Sequence, residues 1–179
     1  MKHLFAQLFI IFLCLFHLNG TASTATPEDD SNQTTKLICE EVKLTRDLYN
    51  GLLEQWDIRR FQKMAKNKHR ILNILLRYLG ESKNDPQSIR PSRGLYRNVG
   101  LKKKYHELSA KGAKSTKEAI NVLLEAEQML LYDLSDIKPL ADDEKLIEVY
   151  NKIEKQTEKH IEQLKKMQGK NLSTLAFSN

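Results

Sequence analysis

Cysteine is scarce in this chain of 179 residues, and the 2 present, Cys14 and Cys39, exclude a small fold held by many disulfides. Glycine and proline are also few, 7 and 4, and aromatic residues make up only 7%. With 40% of residues apolar, the chain is nonetheless not wholly disordered. Its length suits one globular domain with a sizeable core and is too short for two ordinary ones. Beyond the first segment there is no run of 18 or more apolar residues, so nothing in the body of the chain spans a membrane as a helix. Motifs of nucleophilic or phosphate chemistry are missing too: no G-x-S-x-G, no phosphate loop, and no cysteine paired with a plausible histidine.

What is present begins with Lys2 and His3, a greasy stretch from Leu4 to Leu18, and the small residues Gly20-Thr21-Ala22 and Ser23-Thr24-Ala25. Residues 1–25 therefore read as a secretory signal peptide cleaved after Ala22 or Ala25, and the protein is expected outside the cell. Cleavage leaves one cysteine, Cys39, next to Leu37 and Ile38. In that apolar setting we expect it buried and inert rather than bridging to a second chain. Asn32-Gln33-Thr34 and Asn171-Leu172-Ser173 are glycosylation acceptor triplets that such a compartment would permit to be used.

Residues 26–35 are polar and read as a flexible lead-in; 169–179 read as a flexible tail. Between them, apolar residues recur at intervals of three and four, without sustained alternation. The pattern predicts helices over 36–54 (Leu37, Leu44, Leu48, Leu52), 58–79 (Phe61, Met64, Ala65, Leu72, Leu75) and, more briefly, 101–110. A fourth opens at Ser115 with Glu118 in capping-box spacing and runs through Leu134. A last one follows Pro139, with Asp142 and Asp143 at its start and Leu146, Tyr150, Ile153, Thr157, His160, Leu164 and Met167 in register. Gly80 stops the second helix, and a crossover loop of Pro86, Pro91 and Gly94 leads to the short one. Four long amphipathic helices, one short helix and one long basic crossover loop describe an all-α four-helix bundle over 36–168.

Each long stripe has a polar interruption: Glu41, Lys68, Glu127 and His160. Two readings are open. Either the stripes are shifted by one residue and these groups face water, or they meet inside, where isolated charges would each cost several kcal/mol. In the second case they need one another, a metal or water.

These residues carry a resemblance. Glu40-Glu41-Val42-Lys43-Leu44-Thr45-Arg46-Asp47-Leu48-Tyr49 resembles the E-E-E-K-L-A-R-D-x-Y opening of the ferritin-like domain of unknown function 2202 family. Trp56 with Phe61-Gln62-Lys63-Met64-Ala65 is similar to its W-x-x-x-x-F-Q-x-I-A segment. Leu108 with Gly112-Ala113-Lys114-Ser115 resembles its L-x-x-x-G-x-x-S element. Glu127, Asp133-Leu134 and Thr157-Glu158-Lys159-His160 are similar to its later helices.

The resemblance implies a ferritin-like bundle with a carboxylate and histidine centre for two metal ions, of which Glu41, Glu127 and His160 would be retained candidates. It also implies where the pattern fails. Lys68 and Ile71 stand where the family has a glutamate and a histidine three apart, and Leu130 where an acid is usual. A charged ammonium has no lone pair and repels a cation. The expectation is therefore no cofactor, with Lys68 neutralising Glu41 or Glu127 as a buried ion pair. The alternative is a weak mononuclear iron or manganese site on Glu41, Glu127 and His160, completed by water.

Charge is unevenly spread. Residues 23–57 hold 3 basic and 8 acidic side chains, residues 58–106 hold 14 and 2, and residues 107–179 hold 11 and 13. The basic middle combines Arg59, Arg60, Lys63, Lys66 and Arg70 with Arg90, Arg93, Arg97, Lys102, Lys103 and Lys104. Acids of neighbouring helices could answer it, or it could attract an extracellular polyanion such as a sulfated glycan or an acidic matrix protein. Nucleic acid is not expected, since no zinc-finger spacing or aromatic platform accompanies the charge. The functional expectation is a secreted, non-enzymatic binding or matrix protein; the alternative is a ferritin-like metal-dependent redox or storage protein.

Overall fold

The computed structural model describes residues 27–80, 89 and 92–176, with side chains at 32–80, 89 and 92–169. Within them the protein is all-α: α1 Pro27–Trp56, α2 Arg59–Tyr78, α3 Val99–Gly112, α4 Thr116–Ile137, a 3₁₀ turn Lys138–Leu140, and α5 Glu144–Ala176. No strand occurs among the described residues. Residues 1–25, expected from the sequence to be a signal peptide, the prolines of the crossover loop and Arg90 lie outside them.

Local chemistry sets the ends of these helices. Asp57 takes a left-handed backbone (φ 45°) between α1 and α2, and Gly80 does the same (φ 63°) just past α2. Asn98 caps α3, its side chain accepting from Leu101 N at 3.0 Å. Ser115 caps α4, accepting from Glu118 N at 3.1 Å. Asp143 accepts from Lys145 N and Leu146 N at the start of α5 and also takes the Tyr78 hydroxyl proton at 2.9 Å, tying α5 to α2. Two boundaries differ from the sequence reading. Helix α1 begins at Pro27 and takes in most of the segment expected as a flexible lead-in; α5 continues to Ala176, into the expected tail.

The long helices pack in a closed ring, α1 on α2, α2 on α5, α5 on α4 and α4 on α1, while α3 lies across α1 and α4. Gly112, which also ends α3, lets that element approach closely. A Cβ there would stand 2.8 Å from Val122 Cγ2 and 2.9 Å from Leu52 Cδ2. Its carbonyl accepts from the Trp56 indole N–H at 3.1 Å.

The core is divided. One apolar cluster holds Leu44, Leu48, Tyr49, Phe61, Met64, Leu123, Ala126 and Leu164. The other holds Ile38, Val42, Ile71, Leu72, Leu75, Leu130, Leu134, Tyr150 and Ile153. Every long helix contributes to both. On α2 the crossing falls at Lys68, on α4 at Glu127 and on α5 at Thr157 and His160, all of them buried; on α1 it falls around Glu41 and Thr45. A polar layer thus separates two greasy halves.

Candidate functional site

Glu127 is the centre of that layer. Lys68 Nζ, from α2, meets Glu127 Oε2 at 2.6 Å, placed as an ion pair rather than a well-aligned hydrogen bond, and donates to Thr157 Oγ1 of α5 at 2.9 Å. Glu127 Oε1 accepts the Tyr49 hydroxyl of α1 at 2.9 Å and pairs with His160 Nδ1 of α5 at 2.8 Å. The other ring nitrogen of His160 lies 3.5 Å from Asn67 Nδ2. Lys68, Glu127 and His160 are each at most 1% exposed.

Electrostatics follow from this geometry. Burial alone would raise the Glu127 carboxyl, but the charge of Lys68 and the hydrogen bond from His160 outweigh it and hold the group below its ordinary range. Burial pulls the Lys68 ammonium below its ordinary value, against the charge of Glu127. The Tyr49 phenol is raised, first by burial and then by Glu127. The directions at Glu127 and Tyr49 favour a carboxylate beside a neutral tyrosine, whereas burial at Lys68 works against the ammonium and only the charge of Glu127 opposes it.

Glu41 stands apart from this network. The stripe pattern offers it as a partner for Lys68, but no ion pair joins the two among the described residues. Its neighbour is Asp133 of α4. Burial, then a hydrogen bond and repulsion from Asp133, push the Glu41 carboxyl from 4.5 to about 10, so it is protonated at neutral pH. One of its oxygens, Oε2, is buried without a hydrogen-bond partner. A protonated Glu41 needs no cation beside it.

The donor set does not fit a two-metal centre. Glu127 has both oxygens engaged, a cationic lysine occupies the second-helix position, and Glu41 is drawn off to Asp133. No group of three or more histidine, cysteine or acidic side chains converges among the described residues. Cys39 is buried in the apolar core, as expected.

The rest of the opening motif does a different job. Asp47, buried on α1, accepts from Lys43 Nζ at 2.8 Å, from Arg46 Nε at 2.9 Å, from the Tyr96 hydroxyl at 2.9 Å and from Gly94 N at 3.1 Å. The Lys43 ammonium also sits 3.9 Å above the Tyr96 ring. Glu40 accepts from the backbone N–H groups of Arg97 and Asn98. One face of α1 thus fastens residues 94–98, the approach to α3, while the next face carries Glu41 and Tyr49 inward. Periodicity read from sequence does not find this, because Glu40 accepts from backbone N–H groups of a distant loop and Asp47 accepts from Gly94 N and the Tyr96 hydroxyl of the same loop.

The six residues expected to bind polyanions are treated unequally. Arg93 pairs with Glu54 at 2.7 Å, Lys104 with Glu125 at 2.7 Å, and Lys103 with Glu107 at 3.9 Å. Arg97 and Lys102 are exposed, and Arg90 is outside the described residues. Asn32 is exposed on α1; Asn171 lies on α5, its side chain outside the description. An open groove of about 530 Å³ between α1 and α2 is lined by Arg46, Glu54, Lys66, His69, Arg70 and Arg93, among others.

Comparison with known proteins agrees with the helical fold. A family described as an uncharacterized protein domain, DUF2202, matches residues 32–172. The uncharacterized protein MJ0754 of Methanocaldococcus jannaschii is 29% identical over 123 residues, 68% of this chain; the match spans just under two thirds, 66%, of that relative. The crystal structure of the hypothetical protein MJ0754 is similar at a TM-score of 0.73 and 25% identity, over 86% of each chain.

Proposed function

The chain belongs to the family of the uncharacterized protein domain DUF2202, and from that premise we propose that it is a secreted, non-enzymatic helical scaffold that binds a polyanion outside the cell. Its four long helices form a ferritin-like bundle in which an internal salt bridge stands where a metal centre would be. One observation carries the loss of metal chemistry: the Lys68 ammonium, 1% exposed, lies 2.6 Å from Glu127. A cation of fixed charge already neutralises the carboxylate that a metal ion would need, and at about 4 Å a second positive charge would be repelled by about 4 kcal/mol at an effective dielectric near 20. What supports the extracellular placement is the greasy stretch from Leu4 to Leu18 followed by small residues. What supports the binding role is the excess of positive charge over 58–106.

The test is elemental analysis of the protein recovered from the medium of cells expressing the full chain, purified without chelators. Iron and manganese well below one ion per chain are expected. About one ion or more per chain would overturn the scaffold reading in favour of a metal-dependent redox or storage protein. Recovery only from inside the cells would overturn secretion.

A further inference from the structure

The cations that line the α1–α2 groove combine anchored guanidiniums with exposed cations that no carboxylate among the described residues answers. Arg46 is buried and its guanidinium is anchored on Asp47, whose other oxygen is engaged by Lys43. Arg93 reaches the groove from the loop and is anchored on Glu54. Arg46 gives both Nε and Nη2 to Asp47, so its part is to line the groove, whereas Arg93 has only Nη1 engaged by Glu54 and is the guanidinium whose planar fork suits an incoming oxyanion. On the opposite wall Lys66 and Arg70 lie one helical turn apart on α2, both exposed, with His69 between them. No carboxylate among the described residues pairs with Lys66 or Arg70. Five cations (Lys43, Arg46, Lys66, Arg70, Arg93) thus stand in or behind the groove against two acids, Asp47 and Glu54. By contrast, Lys103, Lys104 and Lys111 on α3 are each answered by a glutamate.

We infer that this groove, rather than the lysine run of α3, is the binding site for a sulfated glycan, with sulfate groups held between Arg93 on one side and Lys66 and Arg70 on the other. The inference rests on the polyanion reading and gives it a location. The volume of about 530 Å³ lies within the range of about 300–1,000 Å³ common for small-molecule sites. Asn50 supplies a neutral polar group suited to sugar hydroxyls. The ligand is recognised by spaced ester oxyanions on a polar ring, so both charge and sugar contribute.

The experiment measures a heparin tetrasaccharide binding to the full chain by calorimetry at physiological salt, for the wild type, Lys66→Ala/Arg70→Ala and Lys102→Ala/Lys103→Ala. All four substituted residues are exposed, and circular dichroism establishes that the helices are retained. Binding weakened about tenfold or more by the groove pair and little changed by the α3 pair is the expected result. The reverse order would overturn the groove and leave a polyanion-binding protein. No wild-type binding at all would overturn both readings. In competition, inorganic phosphate displacing the tetrasaccharide at equal concentration would show a general anion site and overturn the glycan assignment.

Discussion

Replacing Lys68 by methionine tests whether the buried amine holds Glu127. The substitution keeps an unbranched stem of similar length and removes the charge, the ion pair at 2.6 Å and the donation to Thr157 at 2.9 Å. Glu127, which has no exposed surface, is left with only Tyr49 and His160 as donors. Removing one partner of a buried pair costs about 3–5 kcal/mol. In a domain of this size that corresponds to a fall in Tm of about 6–20 °C.

The loss has a signature that a packing defect lacks. Without Lys68 to oppose burial, the Glu127 carboxyl rises, and it takes up a proton as pH falls. The deficit of Lys68→Met should then shrink between pH 7 and pH 5, by up to about 1.4 kcal/mol per pH unit. Lys68→Met/Glu127→Gln should be less destabilised than the sum of the single variants by about 2 kcal/mol or more. Urea unfolding followed by circular dichroism reads all three. A deficit below about 1 kcal/mol at pH 7, unaffected by pH, would refute the account of the layer as a lysine–carboxylate bridge.

Other consequences follow from single features. Glu41 binds its proton up to about pH 10 when folded and to 4.5 when unfolded, so its stabilisation is complete below pH 4.5 and is lost as pH rises through 10. Glu41→Gln should therefore gain stability relative to wild type from pH 5 to pH 9; parallel urea midpoints would contradict the protonated Glu41. Gly112→Ala, despite alanine's better helix propensity, should cost about 1–3 kcal/mol by driving a methyl into Val122 and Leu52, read as a lowered Tm. Lys68→Glu/Ile71→His should bind more iron or manganese than wild type, because it places a Glu-x-x-His pair on the helix that faces Glu127 and His160. Elemental analysis showing no gain would argue against the bundle ever offering that geometry.

Much of this architecture was legible in residue periodicity, and the failures have physical causes. Ser115 and Gly80 mark helix ends by chemistry that acts locally, and both do so in the fold. The early start of α1 was also written locally, in Pro27 followed by Glu28, Asp29 and Asp30, a helix-opening sequence outweighed in the reading by its polar composition. The polar residues of the layer were visible because they interrupt apolar stripes; their pairing was not, since it depends on the heights at which separate helices pack. Asp133 lies six positions after Glu127, off the spacing of three and four, so the partner of Glu41 went unseen. The pairing of Glu40 and Asp47 was not legible, because a sequence pattern cannot reveal a loop folding back over a helix face.

One carboxylate receives α1 through Tyr49, α2 through Lys68 and α5 through His160. Apolar contacts tolerate sliding, since one leucine replaces another at little cost. A one-residue slip of any of these helices moves its donor about 1.5 Å along the axis and about 100° around it, out of reach of Glu127. The side chain at 127 therefore acts as a common datum against which three helices are aligned, and the two greasy halves of the core inherit their register from a single charged atom group between them.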